Sequence, residues 1–366
     1  MNSLYIANCD ELYNSKWTND IGRWSSLYNM IAPSISIVDR CNSIKMPFRF
    51  KTFEMFNMPK DISNFSLSYE ECCLARAQEL VDLSDQLSKP ITILYSGGID
   101  STTALVAFMR ILNEQELREK VRVALSIESI DENVNFYYDH IRSKCNIVSS
   151  EYMSSMIDGS SIVVGGEHND QLFGSDIIGQ IQRNGDYDNI HKPYSRQFIT
   201  SWFQRSLTVS ESNFWYDLLD NHIKTQAPCE VTTNFHFFWW YNFCFKWQNV
   251  YFRILTRVDK DMRYLINDRF LKNNYHHFFS SQNFQKWSML NHDLKIQGDW
   301  TGYKAEAKKF IFEYNKDKEY RDYKIKAGSL YRLFLQKKFA VAITDNFQIL
   351  DTVNADDFYE PNNSFT

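Results

Sequence analysis

Ile91-Thr92-Ile93-Leu94-Tyr95-Ser96-Gly97-Gly98-Ile99-Asp100-Ser101 is the stretch whose reading decides the fold. Its first five residues are short, β-branched in part and preceded by Pro90, the pattern of a buried strand. From Ser101 to Leu112 the chain is mostly apolar over about three helical turns. Two adjacent glycines at a strand-to-helix turn let the backbone approach a ligand and aim several N–H groups at it. The start of the helix adds roughly half a unit of positive charge at the same place. This combination suits pyrophosphate. Ser96 and Ser101 supply hydroxyl donors, whereas Asp100 repels phosphate and suits a Mg2+ ligand. A tight Gly-Gly turn in which Asp100 merely caps the helix is the plainer alternative. Neither G-x-x-x-x-G-K-[ST] nor G-x-G-x-x-G occurs in the chain.

Further along, Ser161-Ile162-Val163-Val164 is a second short apolar strand, followed by Gly165-Gly166-Glu167-His168-Asn169-Asp170-Gln171-Leu172-Phe173-Gly174. The same grammar returns: strand, paired glycines, carboxylates, then a helical run. In an open parallel sheet, ligands lie beyond the carboxyl ends of the strands. Two such turns in one sheet are expected to face one crevice and bring Asp100 and Asp170 together. Two carboxylates in one cleft are unfavourable without a cation between them, and Mg2+ carried by ATP meets that need.

The segment Ser96–Ser101 resembles the pyrophosphate loop (PP-loop) of the ATP-pyrophosphatase superfamily. Gly165–Gly174 resembles the S-G-E-G-x-D-E-x-F-G signature of asparagine synthetases and β-lactam synthetases. The resemblance is specific over about residues 90–180. It implies an α/β fold with a parallel-sheet, HUP-like (adenine nucleotide alpha hydrolase) nucleotide-binding core followed by a mainly helical C-terminal region. It also implies an ATP-dependent carbon–nitrogen ligase that adenylates a small carboxylic acid, releases pyrophosphate, and yields to attack by ammonia or an amine with release of AMP. ATP and Mg2+ are the implied cofactors. Carried over residue by residue, Ser96, Gly97, Gly98, Asp100 and Ser101 cradle pyrophosphate, and Asp100 and Asp170 hold Mg2+. Leu94, Ile127 (read as a strand residue) and Gly166 contact adenosine, and Glu167 sits beside the acyl-adenylate. The lysine that neutralises the phosphates is expected in Tyr320-Arg321-Asp322-Tyr323-Lys324-Ile325-Lys326-Ala327-Gly328-Ser329, with Lys324 first and Lys326 in reserve; a solvated basic helix end is the alternative there.

This chain departs from the family pattern at two positions. His168 stands where the signature has Gly, and Gln171 where it has Glu. An imidazole at 168 is read either as a polar contact for an unusual substrate or as a surface side chain. The loss of a carboxylate at Gln171 touches a supporting role rather than the metal ligands. Glutaminase-bearing members begin with a catalytic cysteine. Here Asn2 occupies that place and Cys9 has no comparable setting, so nitrogen is expected from ammonia, an amine or a separate glutaminase.

With 366 residues the chain can bury a large core and is expected to carry two domains. The reading divides it into a mixed segment 1–60, the PP-loop domain 61–190 and a helical, aromatic-rich substrate region 191–366 that closes over the nucleotide. A formal charge of −5 offers no electrostatic footprint for nucleic acid. That argues against a tRNA- or base-modifying PP-loop enzyme; a non-catalytic nucleotide-binding regulator is the other alternative. The 7 cysteines form no C-x-x-C, and Cys72-Cys73 are too close for an ordinary bridge, so reduced thiols in a cytoplasmic setting are expected. Met1–Ala7 has no signal-peptide layout. Phe235–Leu255 is interrupted by His236, Asn242, Lys246, Gln248, Asn249 and Arg253, and falls short of a membrane span. His276-His277 and the other histidines lack H-E-x-x-H or short Cys/His spacing, which argues against zinc. Trp239-Trp240-Tyr241 read as core rather than as a base-stacking platform.

Along the chain, Ser34–Val38 and Pro47–Phe50 are expected to pair around Asn42-Ser43. Ser68-x-x-Glu71 opens a helix through about Leu87. Helices are expected over 101–118, 131–144 and 151–157, and strands over 121–127, near Ile147-Val148 and over 161–164. No strand grammar is evident beyond 191, and the tail from Asn354 is expected to fray.

Overall fold

The computed structural model describes residues 2–12, 37–150, 156–174, 176–325 and 340–360. Its strands are β1 Leu4–Ala7, β2 Ile91–Leu94, β3 Val121–Leu125, β4 Asn146–Ser149, β5 Ile162–Gly165, β6 Tyr275–His277, β7 Ala342–Thr344 and β8 Ile349–Leu350. Two compact units divide the chain. One comprises Ser63–Phe173 with Val258–Lys337, and the other Met1–Ile62, Gly174–Arg257 and Lys338–Thr366. Residues 191–257 and 258–325, read as one helical region from sequence, fall in different units.

The first unit is α/β. Its five strands run parallel in the order β4-β3-β2-β5-β6. The chain lays β2, β3 and β4 outward to one side, then returns to add β5 against the other edge of β2. Strand order therefore reverses between β2 and β5, and in open α/β sheets such a reversal opens the ligand crevice. β2 and β5 pair in register from Ile91↔Ile162 to Ile93↔Val164, so the turns that follow them start side by side. Ile91, Ile93, Ile162, Val163 and Val164 are buried. Burial on both faces of a parallel sheet is why these strands read as unbroken apolar runs.

Helices flank the strands much as the periodicity suggests, with informative differences. Tyr69–Leu87 opens on a complete capping box, Ser68 N–H donating to Glu71 Oε2 (2.7 Å) and Glu71 N–H to Ser68 Oγ (3.2 Å). The helix after the first glycine turn is Ile99–Ile111, and a second capping box at Asn113 starts Glu114–Lys120, where one helix was expected. Leu105 and Phe108 of Ile99–Ile111 are fully buried and contribute roughly 1.5–3 kcal/mol each. The expected 131–144 helix breaks at Asn133 into Ile127–Glu132, Val134–Phe136 and a π-helical turn Tyr137–Ile141. Most of the 151–157 helix expected from sequence lies outside the described residues. β6, β7 and β8 correct the expectation that no strand lies beyond 191.

In the second unit, β1, β7 and β8 form an antiparallel sheet in that order. Asn234–Phe245 is buried on nearly every side, with Trp239, Trp240 and Tyr241 in the core. At 12 residues it spans about 18 Å, and no helix among the described residues is long and apolar enough to cross a membrane. The expected 34–38/47–50 hairpin does not form over its described part. Val38 N–H donates instead to the Phe245 carbonyl (3.0 Å), while Phe50 bridges Leu4 and Phe48 bridges Tyr359. The bridge at Tyr359, with the Arg49–Glu360 ion pair (3.6 Å), also ties down 354–360, the described part of the tail expected to fray.

Candidate functional site

The first turn is shaped by Gly97. Its φ is +75°, in the left-handed region that favours glycine, and a Cβ there would stand 2.4 Å from the Ser129 carbonyl oxygen and 2.7 Å from Glu132 Cβ. Gly98 is the N-cap of Ile99–Ile111 and has no side chain with which to cap that end. Ser96 N–H donates to Ser101 Oγ (3.0 Å), and the two hydroxyls lie 3.0 Å apart, closing the loop on itself. The second turn rests on the first. A Cβ at Gly166 would lie 3.1 Å from Ser101 N and 3.3 Å from Ser101 Cα, so a side chain at 166 would press on the backbone of the first turn.

Asp100 and Asp170 consequently meet, and they meet on a cation. Lys304 Nζ donates to both oxygens of Asp100 at 2.6 Å and lies 2.7 Å from Asp170 Oδ1. The lysine side chain is 0% exposed, while the aspartates retain 26% and 31%. Asn169 Nδ2 donates to Asp100 Oδ1 (2.7 Å), and Asn169 Oδ1 in turn accepts from the Tyr69 hydroxyl (3.0 Å). Burial pushes the Asp100 carboxyl above its ordinary value; Lys304 opposes that rise and Asp170 adds to it. Two carboxylates share one ammonium, so the formal charge of the trio is −1. Lys304 takes φ +61° at the N-cap of Ala305–Asn315, which is where the chain turns to send its side chain inward.

The other sequence candidates distribute around this centre. Leu94 ends β2 and is half-buried. Ile127 is not a strand residue, because β3 stops at Leu125 and Ser126 N–H donating to Ser129 Oγ (3.3 Å) begins a helix. It is 72% exposed. Glu167 is half-buried in the second turn. His168 is buried, which overturns its reading as a surface side chain, and its ring meets His277 edge-on at 5.2 Å. Its φ of +77° lies in the left-handed region that favours glycine. Gln171 is buried as well.

Lys324 does not reach the aspartates. Its Nζ is held by the Glu132 carboxylate and by the Glu132 carbonyl (3.1 Å), placing it beside Gly97 by way of the residue that crowds that glycine. Lys326 lies outside the described residues. Lys304, Asn169, Tyr69, Glu132 and His277 were missed by the sequence reading. The only local signal for Asn169 was its place beside Asp170, and Lys304 carried none. No protein-family model matches the chain, and no curated protein matches it.

Proposed function

We propose that the chain is an ATP-dependent amide-forming ligase of asparagine synthetase type, on an adenine nucleotide alpha hydrolase-like core. The carrying observation is the convergence of Asp100 and Asp170, from two glycine turns at the switch point of the sheet, on one buried ammonium. Hard carboxylate oxygens gathered around a single positive charge fit Mg2+ as a ligand set. When bound there, Mg2+ would offset phosphate charge and assist departure of pyrophosphate.

The roles of the chain's own residues follow from placement. Ser96, Gly97, Gly98 and Ser101 hold the β- and γ-phosphates through backbone N–H groups and hydroxyls, at the glycine-capped start of Ile99–Ile111. Lys304 takes the charge-neutralising part that the sequence assigned to Lys324, because it alone of the two sits on the aspartates. Leu94 at the end of β2 and the exposed Ile127, in the helix just after β3, offer an apolar edge for adenine. Gly166 keeps the second turn close to the first. A carboxylate oxygen of the acid attacks the α-phosphorus and expels pyrophosphate; the nitrogen of ammonia or an amine then attacks the acyl carbon and expels AMP. Glu167, in the second turn, is positioned to take the proton that nitrogen sheds.

The net charge of −5 favours this reading over a tRNA-modifying one. A second reading, a nucleotide-binding regulator, is favoured by one observation: His168, next to Glu167 in the chain, is buried with its ring against His277. Pyrophosphate exchange into ATP, dependent on an added carboxylic acid, separates them. Exchange that is lost in both Asp100→Ala and Asp170→Ala supports the ligase. ATP binding with no exchange across a broad panel of acids supports the regulator.

A further inference from the structure

In the unit containing β1, β7 and β8, four potential ligands from distant parts of the chain converge. Asp39 and Cys41 lie in the segment after Val38, His222 lies in the helix Val209–Gln226, and Cys244 in the helix Asn234–Phe245. Their ligand atoms all fall within 4.8 Å of one another. Asp39 Oδ1 stands 3.0 Å from His222 Nε2 and 3.7 Å from Cys244 Sγ, and the two sulfurs are 3.6 Å apart. Tetrahedral zinc with bonds of about 2.3 Å to sulfur and about 2.0 Å to nitrogen and oxygen sets ligand–ligand edges of roughly 3.3–3.8 Å. These three separations, 3.0–3.7 Å, lie close to that range, and the remaining pairs stay within 4.8 Å.

We propose that Asp39, Cys41, His222 and Cys244 form a structural zinc site. Four protein ligands leave no position open for substrate, and three of them are buried, which is the character of a closed site. The carboxylate is held from behind as metal-bound carboxylates are: Asp39 Oδ2 accepts from Ser43 N–H (2.8 Å), Ser43 Oγ–H (2.9 Å) and Ile44 N–H (2.9 Å). Charge also balances. Zinc with two thiolates and a carboxylate carries −1, and the buried Arg40 guanidinium, donating to the Phe56 and Phe243 carbonyls and lying 4.4 Å over the Trp247 ring, supplies +1 beside them. Loading the metal releases two protons from the ligand set. The ion would pin the 39–44 turn to both helices.

One contact works against the metal. Trp240 Nε1–H donates to His222 Nδ1 (3.0 Å), which leaves the imidazole proton on Nε2 facing Asp39. A metal at Nε2 moves that proton to Nδ1, where it faces the indole N–H, so this hydrogen bond must open. One hydrogen bond is lost against the formation of two metal–thiolate bonds.

The test is metal content and Co2+ substitution on the reduced full-length chain. Site occupancy predicts one zinc per chain, and a thiolate-to-cobalt charge-transfer band on Co2+ exchange. Both should disappear in Cys41→Ser and Cys244→Ser and persist in Cys229→Ser. Trp240→Phe, lacking the opposing donor, should bind zinc roughly five- to tenfold more tightly. A folded wild-type chain that takes up neither Zn2+ nor Co2+ with its thiols reduced would overturn the proposal, whether or not the serine variants fold. So would metal retained in both serine variants, or a folded Trp240→Phe variant that binds no more tightly.

Discussion

Lys304→Met removes the one charge on which Asp100 and Asp170 converge and keeps much of the side chain's bulk. The two carboxylates then face each other across the space its Nζ filled, at 2.6 and 2.7 Å from each. Unit charges roughly 5 Å apart repel by about 3 kcal/mol at an effective dielectric of about 20. Because both aspartates keep about a quarter to a third of their exposure, that figure is an upper value. In a unit of this size it corresponds to a fall in melting temperature of roughly 6–12 °C. Asp100 already has a raised folded pKa, and the variant raises it further. Stability is then fully present below the unfolded carboxylate pKa and is lost as pH rises through the elevated folded value, so the deficit shrinks in acid. Mg2+ should bind the vacated pair and recover most of the loss, whereas wild type gains little from Mg2+ alone. Differential scanning fluorimetry against pH and MgCl2 reads all of this. A variant that melts like wild type at neutral pH, or ignores Mg2+, would refute the idea that the pair is built around a cation.

Gly97→Ala places a methyl 2.4 Å from the Ser129 carbonyl oxygen at a positive φ, so it should cost about 2–4 kcal/mol and weaken ATP binding at least tenfold; urea unfolding and calorimetry check both. Lys304→Met should lower pyrophosphate exchange by about 10²–10³, and Lys324→Ala by roughly tenfold or less, since Glu132 already engages it; equal losses would return the phosphate role to Lys324. His276 is held neutral, chiefly by burial and then by Arg76 and His277, with its pKa pulled down to about 3. Stability is present above the unfolded value near 6.5 and lost as pH falls through the window down to about 3, with a slope of at most about 1.4 kcal/mol per unit. His276→Gln should flatten that slope, and an unchanged acid limb would remove His276 from the account.

The parallel sheet was legible because β2 and β5 are buried on both faces, leaving short apolar runs, and because paired glycines end each run. The meeting of Asp100 with Asp170 was also legible, since adjacent parallel strands must present their following turns together. β6 was not: Tyr275-His276-His277 is three residues long and two are histidines, and its place comes from pairing with β5 rather than from any alternation. Lys304 was hidden for a different reason. It reaches Asp100 across 204 positions from a left-handed cap, and a lysine before an ordinary amphipathic helix gives no local sign of burial. Lys324 drew attention because its segment resembles the family's phosphate-neutralising stretch, yet Glu132, unremarked on its short helix, holds it. The Asp39–Cys41–His222–Cys244 cluster had no spacing to read, because it forms only when the Asn234–Phe245 helix packs.

A crystal of the full chain soaked with ATP and Mn2+, with anomalous diffraction locating the metal, tests the central claim most directly. The account predicts one manganese peak bound by both Asp100 and Asp170, with the β- and γ-phosphates seated on Ser96–Ser101 and Lys304 Nζ moved onto phosphate oxygen. Nucleotide bound elsewhere, or a metal that touches neither aspartate while Lys304 keeps both, would contradict it.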